Sequence, residues 1–403
     1  MNFNRLLAIV LCGPVLVDAA PDESALGREQ GYPRAPSLSV ASQDQYIVDS
    51  NSGGWESLIP TTKISTSKAS PLPVARTPKP IKYQFEGQNF TLDDYLNRRR
   101  VTSLLVIKDG QVHHERFQYG RNERHRFNSA SMAKSFLGLL AGWATEDGHI
   151  KSLDDSIDTY LPRLKESSFA GIRVRDLLTM SSGLAFEEGN YANPNTLYAQ
   201  MLRQQARVGG LEALLELKTT SPKAPPGTVF LYSSLDSELL GHVITAATKK
   251  PLSTYLSEKL WGPIGAESDA TWQVDARKRE RAHCCIGATA RDYAKVGVLI
   301  ANDGEYQGKS IIRRDWLDQM ASIQGNHLQQ VGIGTERPIY GYGYHVWVKP
   351  PSQIIFRGLR GQAIYIDRKE KVVLVQTAVW RLGDAGNTPE LEALWSGVIE
   401  SMR

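Results

Sequence analysis

Ser131 and Lys134 are the residues whose types and spacing most directly indicate chemistry. They lie three positions apart, just before an apolar run that covers residues 136–144. Residues i and i+3 share one face of a helix, so the Lys134 amine is expected beside the Ser131 hydroxyl. Serine is a good nucleophile only when a neighbouring group takes its proton, and burial favours the uncharged form of lysine. The pair therefore predicts a nucleophilic serine with a lysine base.

The same S-x-x-K spacing also occurs at residues 65–68, in a stretch of Ser, Thr, Lys and Pro without helical periodicity. Only the copy at residues 131–134 has a candidate helix cap before it, Asn128 or Ser129, and an apolar run behind it that is typical of a buried helix. We therefore favour Ser131. The four residues alone leave open an ordinary capping serine followed by a solvated lysine.

Tyr232 is the next candidate, within the Y-x-S sequence of residues 232–234. It follows the turn-forming Pro-Pro-Gly of residues 225–227 and precedes a periodic apolar stretch at residues 235–244. Tyr232 is therefore expected on a loop before a helix, where catalytic groups are often held. A second Y-x-S at residues 255–257 lies in an amphipathic helical pattern, so Tyr255 is expected to pack inward.

Gly358 and Gly361 precede a segment, residues 363–366, that has the composition of a strand. Glycines allow a ligand to approach the backbone closely. We predict that an edge-strand N–H from this segment and the N–H of Ser131 form an oxyanion hole. The alternative is a glycine bulge at the start of a strand, with Arg357 and Arg360 facing solvent.

Together these motifs resemble the serine beta-lactamase and penicillin-binding-protein superfamily, whose class A members carry S-x-x-K, S-D-N and K-T-G. The chain has no S-D-N, and its Y-x-S is similar to the class C and esterase branches. It most resembles the 6-aminohexanoate-dimer hydrolase branch, which shares the Y-x-S and the G-x-x-G-Q at residues 358–362. Further similarity lies at residues 153–162, 176–184 and 289–297.

The resemblance implies an α+β fold, a beta-lactamase-like α/β sandwich in which helices flank an antiparallel sheet and a mostly helical second lobe covers about residues 150–280. The periodicity predicts strands at residues 103–107, 112–119, 343–348, 362–366 and 372–379, and a closing helix from Glu390. We divide the chain into a signal peptide at 1–19, a polar Pro- and Ser-rich lead at 20–95, and a hydrolase domain at 96–403.

The resemblance also implies a role for each site residue. Ser131 would form an acyl-enzyme, Lys134 and Tyr232 would act as a coupled base, and the backbone N–H groups of Ser131 and Leu359 would hold the oxyanion. The predicted substrate-binding residues are Tyr191, Ser234, Arg357, Gly358, Arg360, Gly361 and Gln362.

The chain departs from the superfamily where K-T-G is expected, because it reads Phe-Arg-Gly at residues 356–358. The lysine that would bind a beta-lactam carboxylate is missing, so we expect poor beta-lactamase activity, with Arg357 or Arg360 governing preference for anionic substrates. We interpret the chain as an exported serine hydrolase of esters or amides. The alternatives are a D,D-peptidase or weak beta-lactamase acting on cell-wall peptides, and a catalytically silent binding or sensor protein.

The composition limits the possible partners. The 403 residues include 47 Lys and Arg against 43 Asp and Glu, a net charge of +4. The basic runs at residues 98–100 and 277–279 are short and lack interleaved aromatics, so we expect no nucleic-acid partner. No nucleotide-binding glycine motif and no metal-binding histidine spacing occurs in the sequence, so we expect a small-molecule substrate and neither cofactor nor metal. The oligomeric state is left open.

The N-terminus predicts export. Arg5 precedes an apolar stretch at residues 6–17 that is too short to span a bilayer, and residues 17–19 suit a signal-peptide cleavage site. We therefore expect a periplasmic or secreted protein without stable membrane insertion. Cys12 would leave with the signal peptide. Because a bridge between neighbouring cysteines is strained, Cys284 and Cys285 are expected to be two buried thiols.

Overall fold

We describe the protein from a computed structural model, which covers residues 23–24, 26–37, 55–186, 188, 193–217, 223–333, 340–381 and 387–403. The predicted signal peptide at residues 1–19 lies outside these ranges. Among the helices within them, none is long and apolar enough to cross a membrane.

The strands of the described chain form four sheets. They are β1 Thr61–Ile64, β2 Lys82–Phe85, β3 Gln88–Thr91, β4 Val101–Lys108, β5 Gln111–Phe117, β6 Phe127–Asn128, β7 Ala270–Gln273, β8 Ile286–Ala288, β9 Glu305–Tyr306, β10 Lys309–Ser310, β11 Gly341–Tyr342, β12 Trp347–Lys349, β13 Gln353–Gly358, β14 Gln362–Asp367 and β15 Val372–Ala378.

Helices occupy the faces of the largest sheet and the middle of the chain. They are α1 Trp55–Leu58, α2 Leu92–Arg98, α3 Met132–Glu146, α4 Val174–Leu178, α5 Leu197–Arg207, α6 Gly210–Leu215, α7 Ser234–Thr248, α8 Leu252–Leu256, α9 Ala290–Ala301, α10 Arg314–Met320 and α11 Asn387–Met402. A single π-helical turn, Ser257–Trp261, continues α8.

The largest sheet has seven antiparallel strands in the order β11-β12-β13-β14-β15-β4-β5. The C-terminal strand β15 lies between β14 and the N-terminal β4, with Val375 opposite Leu105, so the end of the chain completes a sheet that its beginning starts. The strands predicted at 103–107, 112–119, 362–366 and 372–379 are confirmed. The one predicted at 343–348 is displaced to β12, because His345 takes a left-handed φ of 56° and breaks the extended chain.

Helices cover both faces of this sheet, which confirms the α/β sandwich. On one face α11 packs through Trp395 against Tyr365 of β14, with ring centroids 5.5 Å apart. On the other face α3 packs through Phe136 against Phe356 of β13, with centroids 5.8 Å apart. The apolar run at the start of α3 is buried on every side, as its composition predicts.

A four-stranded sheet, in the order β1-β7-β8-β6, lies beside this sandwich. Between residues 150 and 280 the described chain is helical or irregular except for β7, which matches the predicted helical lobe. Strand β6 leads directly into Ser131, and β8 pairs with both β6 and β7. The small sheet thereby brings residues 283–286 next to the start of α3.

The segment before residue 96 contributes β1, the β2–β3 hairpin and most of α2. Tyr83 and Tyr95 from this segment are buried in the same apolar cluster as α11. The domain boundary at residue 96 stays a prediction.

Candidate active site

Ser131 lies in a tight turn, residues 129–131, that joins β6 to α3; we name it the Ser131 turn. Ser131 itself is the N-cap of α3 and makes no capping hydrogen bond through its side chain, so the predicted cap, Asn128 or Ser129, is wrong. Those two side chains bond elsewhere: Asn128 Oδ1 accepts the N–H of Ala130 at 2.8 Å, and Ser129 Oγ accepts the N–H of Ile286 at 2.9 Å. Ala130 has a left-handed φ of 44°, which turns the chain sharply and leaves the half-buried Ser131 hydroxyl available.

Lys134 is buried directly behind Ser131, one helical turn along α3, with 1 % of its surface exposed. Its Nζ lies 3.0 Å from Ser131 Oγ, 3.1 Å from Ser234 Oγ and 2.9 Å from the His283 carbonyl oxygen. Three polar atoms therefore surround the amine on the side away from the core.

The partners of Lys134 fix the direction of its hydrogen bonds. The His283 carbonyl can only accept, and the Ser234 hydroxyl gives its own hydrogen to Glu188 at 2.8 Å, so it also accepts from Lys134. A neutral amine has two N–H donors and one lone pair. With both donors engaged, the lone pair faces Ser131 Oγ, which is the orientation a base needs to take the serine proton.

Burial also favours the neutral amine. It lowers the pKa of Lys134 from the ordinary value of 10.5, because the charged form loses its hydration, while the negative charges of Glu188 and Glu238 oppose that shift. A lysine in this position can therefore act as a base nearer to neutral pH than an exposed lysine.

Glu188 is a site residue that the sequence motifs do not reveal. Its carboxylate accepts the N–H of Ser234 at 2.5 Å as well as the Ser234 hydroxyl, in the first turn of α7, where the helix dipole favours a negative charge. The available signal was a pair of acids at residues 187 and 188, near Tyr191 in the sequence. Nothing in the spacing shows that one of them bonds α7.

Tyr232 lies on the loop before α7, as predicted, and is 95 % buried, since only 5 % of its surface is exposed. Its ring stacks on Trp347 with centroids 5.7 Å apart, and its centroid lies 5.0 Å from Lys134 Nζ. Burial and the Glu188 charge raise the pKa of Tyr232, while a hydrogen bond with Ser131 works in the opposite direction. Tyr232 is therefore a neutral phenol beside Ser131 at physiological pH.

Gly358 ends β13 directly against the Ser131 turn. A Cβ at this position would lie 2.3 Å from the Ser129 carbonyl oxygen, so the close approach requires glycine. The next residue, Leu359, is 39 % exposed and begins the turn into β14. Strand β13 pairs with β12 only through residues 353–355, whereas Phe356, Arg357 and Gly358 pair with β14 alone among the described strands. The predicted edge position therefore holds for the end of β13 that meets the Ser131 turn, although the start of β13 is internal to the sheet.

Arg357 and Arg360 occupy different surroundings. The Arg357 guanidinium lies 5.2 Å from the ring centroids of Tyr340 and Trp347, a cation–π arrangement, and its charge lowers the pKa of Tyr232. Arg360 has a left-handed φ of 62° at the tip of the β13–β14 turn. The structure thus brings Arg357 to the Tyr232 side of the site.

Gln362 and Gly361 shape the turn between β13 and β14. The Gln362 amide donates to the carbonyl oxygens of Leu359 and Arg360 at 3.2 Å each, and to that of Ala378 at 2.6 Å. Gly361 has a φ of 87°, and a Cβ there would lie 2.6 Å from the Trp380 ring. Both residues hold the turn, and their contact with substrate stays a prediction.

The remaining predicted positions lie elsewhere. Tyr191 is outside the described residues. In the second S-x-x-K copy, Ser65 N–H donates to Ser257 Oγ at 2.8 Å and Ser67 Oγ donates to the Gly262 carbonyl at 3.1 Å, next to the π-helical turn. Tyr255 is buried, as predicted, and donates to Asp147 at 2.7 Å.

Cys284 and Cys285 are joined by a disulfide bond, so the prediction of two free thiols is wrong. Cys285 has a left-handed φ of 76°, and this backbone conformation lets the two neighbouring side chains meet. Cys284 is buried with 7 % exposure, whereas Cys285 is half-buried. The bridge follows His283, the residue whose carbonyl accepts from Lys134.

The described residues contain no group of three or more His, Cys, Asp or Glu side chains that could hold a metal ion. The side chains gathered at the site are a hydroxyl, a buried amine, a buried phenol and a carboxylate that accepts from Ser234.

Known proteins are similar to this chain in both sequence and architecture. The family model described as Beta-lactamase matches residues 91–382. The 6-aminohexanoate-dimer hydrolase of Paenarthrobacter ureafaciens is 24 % identical over 315 residues, 76 % of this chain and 79 % of that protein. A Bacillus anthracis protein assigned as a 6-aminohexanoate-dimer hydrolase has a structure that superposes with a TM-score of 0.74 at 26 % identity, covering 85 % of this chain and 91 % of its own.

More distant structures share the fold alone. A family VIII carboxylesterase superposes with a TM-score of 0.57 at 18 % identity, covering 74 % of this chain and 93 % of its own. Because the family model spans most of the sequence and the architecture agrees with it, this chain belongs to the beta-lactamase family of hydrolases.

Proposed function

We propose that this protein is a serine hydrolase that cleaves ester or amide bonds through an acyl-enzyme on Ser131. The observation that carries the proposal is the position of the buried Lys134 amine, whose Nζ lies 3.0 Å from Ser131 Oγ and also contacts Ser234 Oγ and the His283 carbonyl oxygen. In the neutral form of the amine, which burial favours, this arrangement directs the lone pair toward Ser131 Oγ.

In the acylation step Lys134 takes the Ser131 proton as Oγ attacks the substrate carbonyl carbon. Tyr232, a neutral phenol, gives its proton to the leaving oxygen or nitrogen and is reprotonated from Lys134. Water then attacks the acyl-enzyme through the same groups in the opposite order, which returns the proton to Ser131. The proton count is the same at the start and the end of each cycle.

We assign the oxyanion hole to the backbone N–H groups of Ser131 and Leu359. Support comes from the contact of Gly358 with the Ser129 carbonyl, which sets the β13–β14 turn against the Ser131 turn. Removing one such donor costs about 2.7–4 kcal/mol of transition-state stabilisation in a protease.

The substrate class that we propose is a linear ester or amide. Support comes from the relative that acts on the 6-aminohexanoate dimer, a linear amide, and from the carboxylesterase that shares the fold. The chain carries Phe356 where the superfamily has the K-T-G lysine. The next residue, Arg357, lies 5.2 Å from the ring centroids of Tyr340 and Trp347. An arginine held by aromatic rings would bind a carboxylate from a different position, so we expect slow beta-lactam hydrolysis.

Labelling with a fluorophosphonate tests the nucleophile. We expect mass spectrometry to find the adduct on the peptide that contains Ser131, and the Ser131→Ala variant to remain unlabelled. Ser65→Ala is the matched control, since it lies in the second S-x-x-K copy and should be labelled like the wild type. An adduct on Ser65, Ser233 or Ser234 would contradict the assignment, and no adduct at all would favour a binding protein.

A substrate panel tests the reaction class. It contains p-nitrophenyl esters of increasing chain length, linear amide oligomers and a chromogenic cephalosporin. We expect turnover of esters or amides and little of the cephalosporin. Matched neutral and carboxylate-bearing esters should show that Arg357→Ala lowers the preference for the anionic ester more than Arg360→Ala does. Cephalosporin turnover as fast as the best ester would favour a beta-lactamase or D,D-peptidase.

We further propose that the protein is exported. The support is the charged and apolar N-terminal pattern of residues 5–17 with a suitable cleavage site near Ala19. After expression in a Gram-negative host, the periplasmic fraction should contain a chain that starts at Ala20. A chain that keeps Met1 and stays in the cytosol would contradict export.

A further inference from the structure

The segment that carries the Cys284–Cys285 bridge contacts both parts of the site. Immediately before the bridge, the His283 carbonyl accepts from Lys134 Nζ at 2.9 Å. Within the bridge, the Cys285 N–H donates to the Ala130 carbonyl at 3.1 Å. The base and the turn that presents the nucleophile are thus both bonded to backbone groups that flank the two sulfurs.

The segment is tied to the same turn again just after the bridge. The Ile286 N–H donates to Ser129 Oγ at 2.9 Å, and the Ser129 N–H donates to the Ile286 carbonyl at 2.7 Å. On its other side the bridge is tied to β7, because Trp272 Nε1 donates to the Cys284 carbonyl at 3.0 Å. The bridge therefore lies between a strand that anchors it and a turn that it supports.

The backbone at Cys285 depends on this support. Its φ of 76° is a conformation that residues other than glycine seldom adopt and that costs energy unless the surroundings impose it. A covalent link to the preceding side chain restricts the rotation that would release it. If Cys285 returned to a negative φ, its N–H would turn away from Ala130 and the His283 carbonyl would shift relative to Lys134.

We propose that the Cys284–Cys285 disulfide is a positioning element of the active site, which holds the His283 carbonyl against Lys134 and the Cys285 N–H against the Ser131 turn, so that full activity requires the bridge. This inference rests on the proposed function of Ser131. Loss of the carbonyl as an acceptor would let Lys134 rotate and direct an N–H, rather than its lone pair, toward Ser131. The expected defect is therefore in catalysis and not in substrate binding.

The proposal makes the enzyme sensitive to thiols. One molecule of an external dithiol supplies two hydrogens and two electrons, the S–S bond becomes two thiols, and the reagent closes to a cyclic disulfide. Cys285 is half-buried and more exposed than Cys284, so we expect an external thiolate to attack the Cys285 sulfur. Cys284 is the buried leaving group.

The first experiment reduces the native wild-type enzyme with dithiothreitol, blocks the thiols with iodoacetamide and counts the modified cysteines by mass spectrometry. We expect kcat to fall at least tenfold with KM changed less than twofold, and reoxidation before alkylation to restore kcat. A doubly alkylated enzyme that keeps kcat within twofold of the oxidised form would overturn the proposal.

Variants provide a test that does not depend on reagent access. The Cys284→Ser/Cys285→Ser enzyme should show the same loss of kcat and no further response to dithiothreitol. Cys284→Ser/Cys285→Gly is the matched control, because glycine adopts a φ of 76° without a bridge. Wild-type kcat in that control would show that the backbone conformation alone positions the site, and the proposal would fail.

Circular dichroism and thermal unfolding check that each variant folds. If the serine variant does not fold, the kcat of the reduced and alkylated wild type tests the role of the bridge. If dithiothreitol does not reduce the native enzyme, the kcat values of the variants test it instead. Fluorophosphonate labelling separates this inference from the proposed function. An oxidised enzyme that is not labelled at Ser131 contradicts the proposed function, whereas equal labelling rates in the oxidised and reduced forms contradict only the role of the bridge.

Discussion

At the scale of single residues, Ser131 lies beside two ionisable side chains, the amine of Lys134 and the phenol of Tyr232. Burial favours the free amine of Lys134 and the neutral phenol of Tyr232, so one partner accepts a proton and the other can donate one. Glu188 sets the direction of the Ser234 hydroxyl, which donates to its carboxylate at 2.8 Å. The protonation states of the site thus follow from burial and hydrogen-bond direction together.

Lys134→Ala and Tyr232→Phe should each lower kcat/KM by about 10²–10⁴-fold, the range of general acid–base contributions. Because both residues move the same proton, the double variant should lose much less than the product of the single losses. Steady-state kinetics on the best ester of the panel measure this. Ser135→Ala, which removes a neighbouring α3 hydroxyl that bonds the His345 carbonyl, is the control. Losses that simply multiply would show that Lys134 and Tyr232 act separately.

Glu188→Gln should move the acid limb of the kcat/KM profile to lower pH. Below its pKa Lys134 is protonated and cannot take the Ser131 proton, so kcat/KM falls as the pH decreases. The Glu188 charge raises the pKa of Lys134, and its removal lowers that pKa further. Other ionisable groups around the amine are Glu238, His283, His345 and Tyr232.

Because the Ser234 hydroxyl loses its charged acceptor, kcat of Glu188→Gln on the plateau should also fall, by about 10- to 100-fold, the cost of a misplaced catalytic group. Glu216→Gln, at an exposed carboxylate, is the control and should leave the profile unchanged. An acid limb that stays in place or moves to higher pH would mean that the Glu188 charge does not act on Lys134.

At the scale of helices and strands, His345 connects the helices that pack around the site. Its Nδ1–H donates to the Leu178 carbonyl at the end of α4, at 2.9 Å, and its Nε2 accepts from Ser237 of α7 at 3.0 Å. Its carbonyl accepts from Ser135 of α3 at 2.7 Å. One neutral histidine therefore joins three helices behind Lys134.

Burial lowers the pKa of His345 to about 3. In the unfolded chain the ring binds a proton below its ordinary pKa of 6.5, whereas the folded protein keeps it neutral. Its contribution to the free energy of unfolding is therefore present above about pH 6.5 and is lost as the pH falls toward 3.

His345→Asn keeps a residue that tolerates the left-handed φ but removes both ring hydrogen bonds. At pH 8 the free energy of unfolding should fall by about 1–3 kcal/mol, the cost of leaving a buried polar group unpaired. Between pH 6.5 and 4 the dependence of the free energy of unfolding on pH should become shallower, because the His345 contribution is removed while the other shifted groups, His242 and His283 among them, remain. Urea unfolding at several pH values measures both effects. His149→Asn, at an exposed ring, is the control, and an unchanged slope would contradict the account.

At the scale of the whole molecule, the segment before β4 and the C-terminal helix α11 meet at a buried ionic contact. Glu390, in the first turn of α11, accepts from Arg99 Nε at 2.6 Å and from Tyr83 at 2.6 Å, and it also pairs with Arg98. Its side chain is 1 % exposed. The β2–β3 hairpin, α2 and the C-terminal helix are therefore bonded through one carboxylate.

Glu390→Ala should lower the free energy of unfolding by about 3–5 kcal/mol, because it leaves two arginines without their buried partner. Urea unfolding followed by circular dichroism should show a lower midpoint with the same m-value. Glu258→Ala removes a carboxylate that pairs with Lys250 in solvent, and as the control it should change stability by less than about 1 kcal/mol. A loss of that small size at Glu390 would show that the ends do not depend on this contact.

The sequence by itself determined the local parts of this protein. The strand pairs at 103–119 and 362–379, the buried α3 and the helix after Tyr232 follow from periodicity and turn residues, which act over a few positions. The spacing of Ser131 and Lys134 likewise predicts their contact, since one helical turn brings them to 3.0 Å. Local backbone geometry is therefore sufficient to predict these strands and helices and the contact between Ser131 and Lys134.

Only the tertiary structure decided what surrounds that pair. Glu188, His283 and Trp347 come from distant positions, and no spacing links them to Ser131. The Cys284–Cys285 bridge was likewise not predicted, because it depends on a left-handed residue, Cys285, that the neighbouring elements impose. Burial favours the neutral amine of Lys134 and the neutral phenol of Tyr232, and burial is a property of the packed molecule, not of the residue types.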